Sequence, residues 1–170
     1  MKYRMSLPIL VVAAGLLAGC KSAPAAALAP APASRGEYLV RIMDCAGCHT
    51  PGALTGKPDF TRNLAGSTVG FRLPGAGVFY PPNLTPDPDT GLGRWSEAQI
   101  ARAVRHGERP DGRRLMPVMP WPSYSALTDA DAAALAAYLK SLPPIRNAVP
   151  RPVADGQPAP APYLDVRTPS

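Results

Sequence analysis

The sequence predicts an all-α domain with about three to five helices and a long Gly/Pro-rich loop between the first two main helices. Two observations predict this class. Three segments place a helix-capping residue before apolar residues at helical spacing. The 170 residues include 23 Pro and 15 Gly, and proline leaves little room for a large sheet because it removes hydrogen-bond donors from the ladder. The same abundance excludes a coiled coil, a regular repeat protein and a plain helix bundle.

The first main helix is predicted to begin at Ser34. Ser34 and Glu37 have the spacing of a capping box, and apolar residues continue at helical spacing through Met43. About 45 residues without helical periodicity follow, among which 69–80 could form a short hairpin or a lid. A loop of that length within a compact domain is unusual, so we expect it to be functional or packed on another group.

Two further helices are predicted in the second half of the chain. Ser96 and Gln99 form the next capping box, and Gly107 marks the expected end of that helix. Thr128 and Asp131 open the last helix, which ends before a Pro-Pro pair.

The organisation of the chain follows from composition and from its N-terminal stretch. Lys2 and Arg4 precede an apolar stretch at 7–19, which is shorter than the roughly 20 residues that span a bilayer and is typical of a signal peptide. We expect a lipoprotein signal peptide at 1–19, an Ala/Pro-rich tether at 20–33, a folded domain at 34–147 and a Pro-rich irregular tail at 148–170.

The signal peptide ends in a motif that resembles the bacterial lipobox. Leu17-Ala18-Gly19-Cys20 predicts lipid attachment at Cys20, and hence a stable membrane anchor on the periplasmic side. An incidental cysteine in an ordinary signal peptide is the alternative. Lys21 follows, where an aspartate would favour inner-membrane retention in enteric bacteria, so we expect the outer membrane.

Net charge argues against a nucleic-acid partner. The formal net charge is +6, but the basic residues are spread out, as on a solvated surface.

The apolar core is small, because residues 35–142 contain 21 Leu, Ile, Val and Phe. These four residue types thus make up about a fifth of the segment, which is near the lower limit for independent folding. We therefore expect a buried macrocycle to supply apolar surface.

The motif that indicates the chemistry is Cys45-Ala46-Gly47-Cys48-His49, which has the C-x-x-C-H spacing of c-type haem attachment. Two thiols at this spacing can bond the two vinyl groups of haem, while the following imidazole ligates the iron. A thioredoxin-like site would need a βαβ context, which the sequence lacks. A zinc site would have to take His106 as its fourth ligand. We therefore expect one covalent haem c.

The residues alone leave more than one candidate for the sixth iron ligand. Met116 and Met119 lie in a loop stiffened by Pro117 and Pro120, which can hold a thioether rigidly. His106, or an open iron site, are the remaining alternatives.

Residues 34–147 resemble class I cytochromes c, and in particular the cytochrome c subunits of membrane-bound bacterial alcohol, aldehyde and sugar dehydrogenases. The resemblance implies that His49 is the proximal ligand and Met119 the distal one. Those subunits often carry three such domains, whereas this sequence has one motif. The matching segments are Cys45–His49, Asn83–Asp87, Thr90–Gly93, Trp95-Ser96, Arg109–Gly112, Leu115, Pro117–Pro120, Tyr124 and Leu127–Asp129.

The resulting functional prediction is one-electron transfer in the bacterial cell envelope, without substrate chemistry of its own. The expected partners are a periplasmic or membrane dehydrogenase as donor and an oxidase or other respiratory acceptor. The alternative is a haem enzyme, or a gas or peroxide sensor, with a labile sixth ligand.

Several side chains could contact the carboxylates of a haem. Trp95 or Tyr80 could donate a hydrogen bond, and Arg62, Arg72 or Arg94 could offset their charge. Plain packing and surface exposure are the alternatives for these five residues.

Overall fold

The computed structural model describes residues 34–167. The predicted signal peptide, Cys20 and the tether lie outside the described residues. Within this range no helix combines the length and the apolar character needed to cross a bilayer. The elements are α1 (Arg35–Ile42), α2 (Cys45–His49), β1 (Gly70–Leu73), β2 (Gly77–Phe79), α3 (Glu97–His106), α4 (Trp121–Tyr124), α5 (Asp129–Ser141) and β3 (Tyr163–Leu164), with 3₁₀ turns at Ala53–Thr55 and Phe60–Arg62.

The mostly helical class is confirmed, and the three main helices begin where their caps predict. Ser34 Oγ accepts a hydrogen bond from the Glu37 amide at 3.1 Å, and Thr128 Oγ1 accepts one at 3.1 Å at the start of α5. Ser96 and Gln99 form the reciprocal capping box of α3. These side chains satisfy backbone donors that a helix start leaves without partners.

The hydrophobic core lies between α1, α3 and α5. Gly36 permits the close crossing of α1 and α5, since a Cβ there would lie 2.1 Å from the Ala134 carbonyl oxygen. The buried core residues come from all three helices and from the loop between α1 and α3: Leu39, Val40, Leu64, Leu92, Ile100, Val104, Leu135, Ala136 and Leu139.

A small three-stranded sheet accompanies the helices and differs from the all-α prediction. The hairpin considered for 69–80 forms as antiparallel β1 and β2, with Phe71 opposite Phe79. The third strand comes from the tail and pairs in parallel with β1, with Gly70 opposite Tyr163. A two-residue strand is too short to leave an alternating pattern, so periodicity could not predict it.

Candidate functional site

The C-x-x-C-H motif occupies its own short helix, α2, which begins three residues after the end of α1. Asp44 separates α1 from α2 because it adopts a left-handed conformation, with φ 50°. Cys45 and Cys48 are half-buried free thiols. Burial raises the pKa of Cys45 to about 11 and raises that of Cys48 as well, so both stay protonated near neutral pH.

His49 is buried, and a hydrogen bond fixes the tautomer of its imidazole ring. Its Nδ1 lies 2.7 Å from the carbonyl oxygen of Pro82. A carbonyl can only accept, so Nδ1 donates and Nε2 carries the lone pair. Burial lowers the pKa of His49 by more than the hydrogen bond to Pro82 raises it. The side chain is therefore a neutral imidazole with Nε2 available as a metal ligand.

The loop that presents Pro82 is held by Asn83, which is buried. Asn83 Oδ1 accepts from the Thr85 amide and hydroxyl at 2.9 and 2.8 Å. Its Nδ2 donates to Thr90 Oγ1 at 3.2 Å and to the Ile145 carbonyl at 2.7 Å. Both ends of this amide are thus used, which fixes the backbone next to the acceptor of His49.

A cavity of about 960 Å³ adjoins the motif and the core. This volume is at the upper end of the ~300–1,000 Å³ typical of cofactor sites. Its lining is mainly apolar but includes four arginines, which suits a large apolar group that carries anionic substituents. Haem has this character, so the lining fits the cofactor that the motif predicts. The lining includes Cys45, Cys48, His49, Leu92, Ile100, Leu135, Leu139, Arg109, Arg113, Arg114 and Arg151.

Met116 and Met119 both line this cavity. Met119 also packs against the buried core, whereas Met116 is not among the side chains packed there. His106 is exposed at the end of α3 and lines a separate groove between α3 and α5. The fourth ligand that a zinc site would have required is therefore not brought to the motif.

The methionine loop is braced on both sides of Met119. The Met119 amide donates to the Met116 carbonyl at 3.1 Å, and the Trp121 amide donates to the Met119 carbonyl at 2.7 Å. Trp121 Nε1 donates to the Leu115 carbonyl at 3.0 Å. Tyr124 Oη donates to the Met43 carbonyl at 3.1 Å, which ties the loop to the chain just before the motif.

The side chains that sequence reasoning proposed for haem carboxylates are mostly engaged elsewhere. The Tyr80 hydroxyl donates to the Ala161 carbonyl at 2.8 Å, although its ring lines the cavity. Trp95 lines the cavity. The three arginines are not among the lining residues: Arg62 bonds Asn147, Arg72 pairs with Asp155, and Arg94 pairs with Asp89.

Sequence reasoning missed the arginines that do line the cavity. Arg109, Arg113 and Arg114 cluster within six residues of one another, beside the predicted methionine loop, and this proximity could have identified them. Arg151 lies in the Pro-rich tail, and the sequence around it gives no such signal.

Comparison with known proteins places this site in a family. The model of the cytochrome c family matches residues 33–143. One component of the nicotinate dehydrogenase of Pseudomonas putida is 42% identical over 116 residues, which is 68% of this chain and 9% of that protein.

Two further relatives carry the word cytochrome in their names. The cytochrome c subunit of the quinone-dependent alcohol dehydrogenase of Gluconacetobacter polyoxogenes is 40% identical over 135 residues, 79% of this chain and 27% of the relative. The gluconate 2-dehydrogenase cytochrome c subunit of Pantoea cypripedii is 41% identical over 104 residues, 61% and 22% respectively. The chain thus spans about a quarter or less of the length of these three relatives.

Proposed function

The chain belongs to the cytochrome c family, and we propose that it is a monohaem electron carrier of the bacterial cell envelope. It is a cytochrome c electron carrier by family, and its C-x-x-C-H motif is consistent with covalent haem c. The finer proposal is that it takes single electrons from a periplasmic or membrane dehydrogenase and passes them to a respiratory acceptor.

The main support is the joint lining of one cavity by Cys45, Cys48, His49 and Met119. The two cysteines would hold the haem through thioether bonds, and His49 would ligate its iron through Nε2. Met119 would complete the coordination, because its packing against the core fixes the thioether better than that of Met116. When bound, haem c supplies a one-electron couple whose potential a Met ligand raises relative to two histidines.

The residues of the chain have a defined part in this function. Pro82 holds the tautomer and orientation of His49, which leaves Nε2 as the ligand atom. The mainly apolar lining would limit the access of water to a bound haem, and the lower dielectric there would favour the less charged reduced iron. If His49 and Met119 both ligated the iron, no position would be left for a substrate, which favours a carrier over a haem enzyme or sensor.

Binding of carbon monoxide tests this against the alternative of a labile sixth ligand. The full chain, matured with haem in a bacterial periplasm, is reduced and exposed to carbon monoxide at neutral pH. We expect an unchanged spectrum in the wild type and a shifted one in Met119→Ala, because only the variant would leave the iron without its methionine ligand. Tight binding by the wild type would support the enzyme or sensor instead.

Relatives support a dehydrogenase as the partner. Three matched proteins carry the names of alcohol, gluconate and fructose dehydrogenase cytochrome subunits. We propose a comparable partner here, which co-purification of a flavin, molybdenum or quinone-containing protein with the tagged chain would test. Isolation of the chain alone from its native membrane would instead favour a free carrier.

Membrane attachment through Cys20 completes the proposal. The Leu17-Ala18-Gly19-Cys20 sequence supports lipidation at Cys20, and Lys21 after it favours an outer-membrane anchor that faces the periplasm. We expect Cys20→Ser to release the protein into the periplasmic fraction, and fractionation of the two membranes locates the wild type. Continued attachment of the variant would point to an uncleaved signal or a bound partner.

A further inference from the structure

The tail of the chain is bound to the domain along its length, and we name residues 145–165 the strap. Its first part is attached to the loop beside Pro82. The Ile145 amide donates to Thr85 Oγ1 at 3.1 Å, and the Asn147 amide donates to Thr90 Oγ1 at 2.9 Å. Asn147 Nδ2 also donates to the Ala65 carbonyl at 2.7 Å.

The second part of the strap is attached to the hairpin. Val153 and Val78 exchange backbone hydrogen bonds at 2.9 and 3.0 Å. Asp155 accepts from the Gly75 amide at 3.0 Å, and the strap then supplies β3. The strap is therefore fixed at both ends of its middle segment, residues 149–154.

This middle segment lines the large cavity with six consecutive residues, 149–154. The match to the cytochrome c family model ends at residue 143, so this segment lies outside the matched residues. Arg151 is the only cationic side chain in the segment. The segment thus adds a fourth arginine to a cavity whose lining is mainly apolar.

The four arginines that line the cavity are not equally available to an anionic ligand. Arg113 is 2.7 Å from Asp111, and its hydrogen bond lowers the pKa of that carboxyl to about 2. Arg109 lies over the Trp95 ring at 5.1 Å, and Arg114 lies over the Trp121 ring at 5.1 Å. Among the described residues 34–167, Arg151 has no hydrogen-bonded, ion-paired or aromatic partner.

We infer that the strap is part of the haem-binding site and that Arg151 is the cation that pairs with a haem carboxylate. This inference rests on the proposed function, since it requires haem in the cavity. A guanidinium suits the task because it bonds a carboxylate with two parallel N–H groups. The pairing would also place a fixed positive charge near the iron, which favours the reduced state.

The test compares four variants of the full chain matured with haem: Arg151→Gln, Arg151→Lys, Arg113→Gln and Arg146→Gln. Arg146 is the matched control, because it lies in the same strap but is exposed and pairs with Asp89. Two quantities are measured: the propionate bending band in the resonance Raman spectrum and the midpoint potential by redox titration.

We expect Arg151→Gln to shift the propionate band and to lower the potential. The fall corresponds to about a tenfold change in the reduction equilibrium constant, as for loss of one charge at intermediate distance. Arg151→Lys retains the potential but shifts the band, since an ammonium lacks the bidentate geometry. Arg146→Gln leaves both readouts close to wild type.

Two results would overturn the inference while the wild type carries covalent haem. One is an unchanged band and potential in Arg151→Gln, and the other is a larger shift of both in Arg113→Gln. Arg151 is exposed, so folding of its variants is not in question. A wild type without covalent haem on a denaturing gel would instead contradict the proposed function itself.

Discussion

Two walls of the cavity are built in different ways. The helical wall comes from α3 and α5, backed by α1, and its contacts are apolar side chains such as Ile100 and Leu135. The loop wall comes from residues 50–95 and from the strap, and it is held by buried polar side chains. Thr50, Ser67, Asn83 and Thr85 are all 1% exposed or less.

The loop wall carries the finer geometric task. Thr50 Oγ1 accepts from the Leu64 amide at 3.1 Å and donates to Asn63 at 3.0 Å, directly after His49. The Pro82 carbonyl, which belongs to this wall, accepts a hydrogen bond from His49. Apolar packing tolerates small shifts, whereas a hydrogen bond depends on distance and angle. We therefore expect the helical wall to set stability and the loop wall to set both stability and ligand orientation.

The largest predicted effect separates these two roles. Asn83→Ala leaves several buried groups without partners and should cost about 3–5 kcal/mol. Leu39→Ala, in the core of the helical wall but away from the cavity, should cost about 3 kcal/mol. Urea unfolding of the haem-loaded proteins measures both.

The absorption spectrum then distinguishes the walls. We expect a changed spectrum in Asn83→Ala, because Pro82 moves with its neighbour, and an unchanged one in Leu39→Ala. The same spectral change in both variants would mean that general loosening, and not the loop wall, sets the ligand geometry.

A smaller effect is expected where the strap crosses the hairpin. Gly77 has φ +113°, and a Cβ there would lie 2.0 Å from the Val153 carbonyl oxygen. Gly77→Ala should therefore cost about 2–3 kcal/mol from strain and crowding.

Gly75→Ala is the matched control for that variant. Its φ is +76°, but a Cβ there would meet nothing within 4 Å, so it should cost about 1 kcal/mol. Thermal unfolding gives the difference, and limited proteolysis of the tail shows whether the strap detaches. Equal destabilisation without cleavage would mean that the strap does not depend on this crossing.

The smallest effect concerns the helix starts. Ser96→Ala removes one half of the capping box of α3 and should cost about 1 kcal/mol. Ser141→Ala, which removes only a bond to a carbonyl at the end of α5, should change stability by less than about 0.5 kcal/mol. Equal urea midpoints for the two variants would show that water replaces the hydrogen bond that the Ser96 side chain makes.

The same contrast explains which features the sequence could predict. Helices α1, α3 and α5 follow local signals, with each cap three residues from its partner. The haem motif is equally local. The loop wall depends on distant pairs, since Ile145 bonds Thr85 across 60 residues of sequence. No pattern at one position indicates such a pair.

Two site features were beyond sequence reasoning for the same reason. Asn83 belongs to a recognisable segment, but its role as a clamp beside Pro82 depends on four separate bonds. Arg151 lies in a Pro-rich tail, and only the folded strap brings it to the cavity. The short helix α4 was missed because four residues leave too little periodicity to detect.

The central claim is that this chain holds one haem c between His49 and Met119. The most direct measurement is the optical spectrum, oxidised and reduced, of the wild type, Met119→Ala and Met116→Ala. We predict a sharp reduced c-type band in the wild type, with the weak long-wavelength thioether band lost in Met119→Ala and retained in Met116→Ala. Loss of that band in Met116→Ala alone, or a high-spin wild type, would contradict the account.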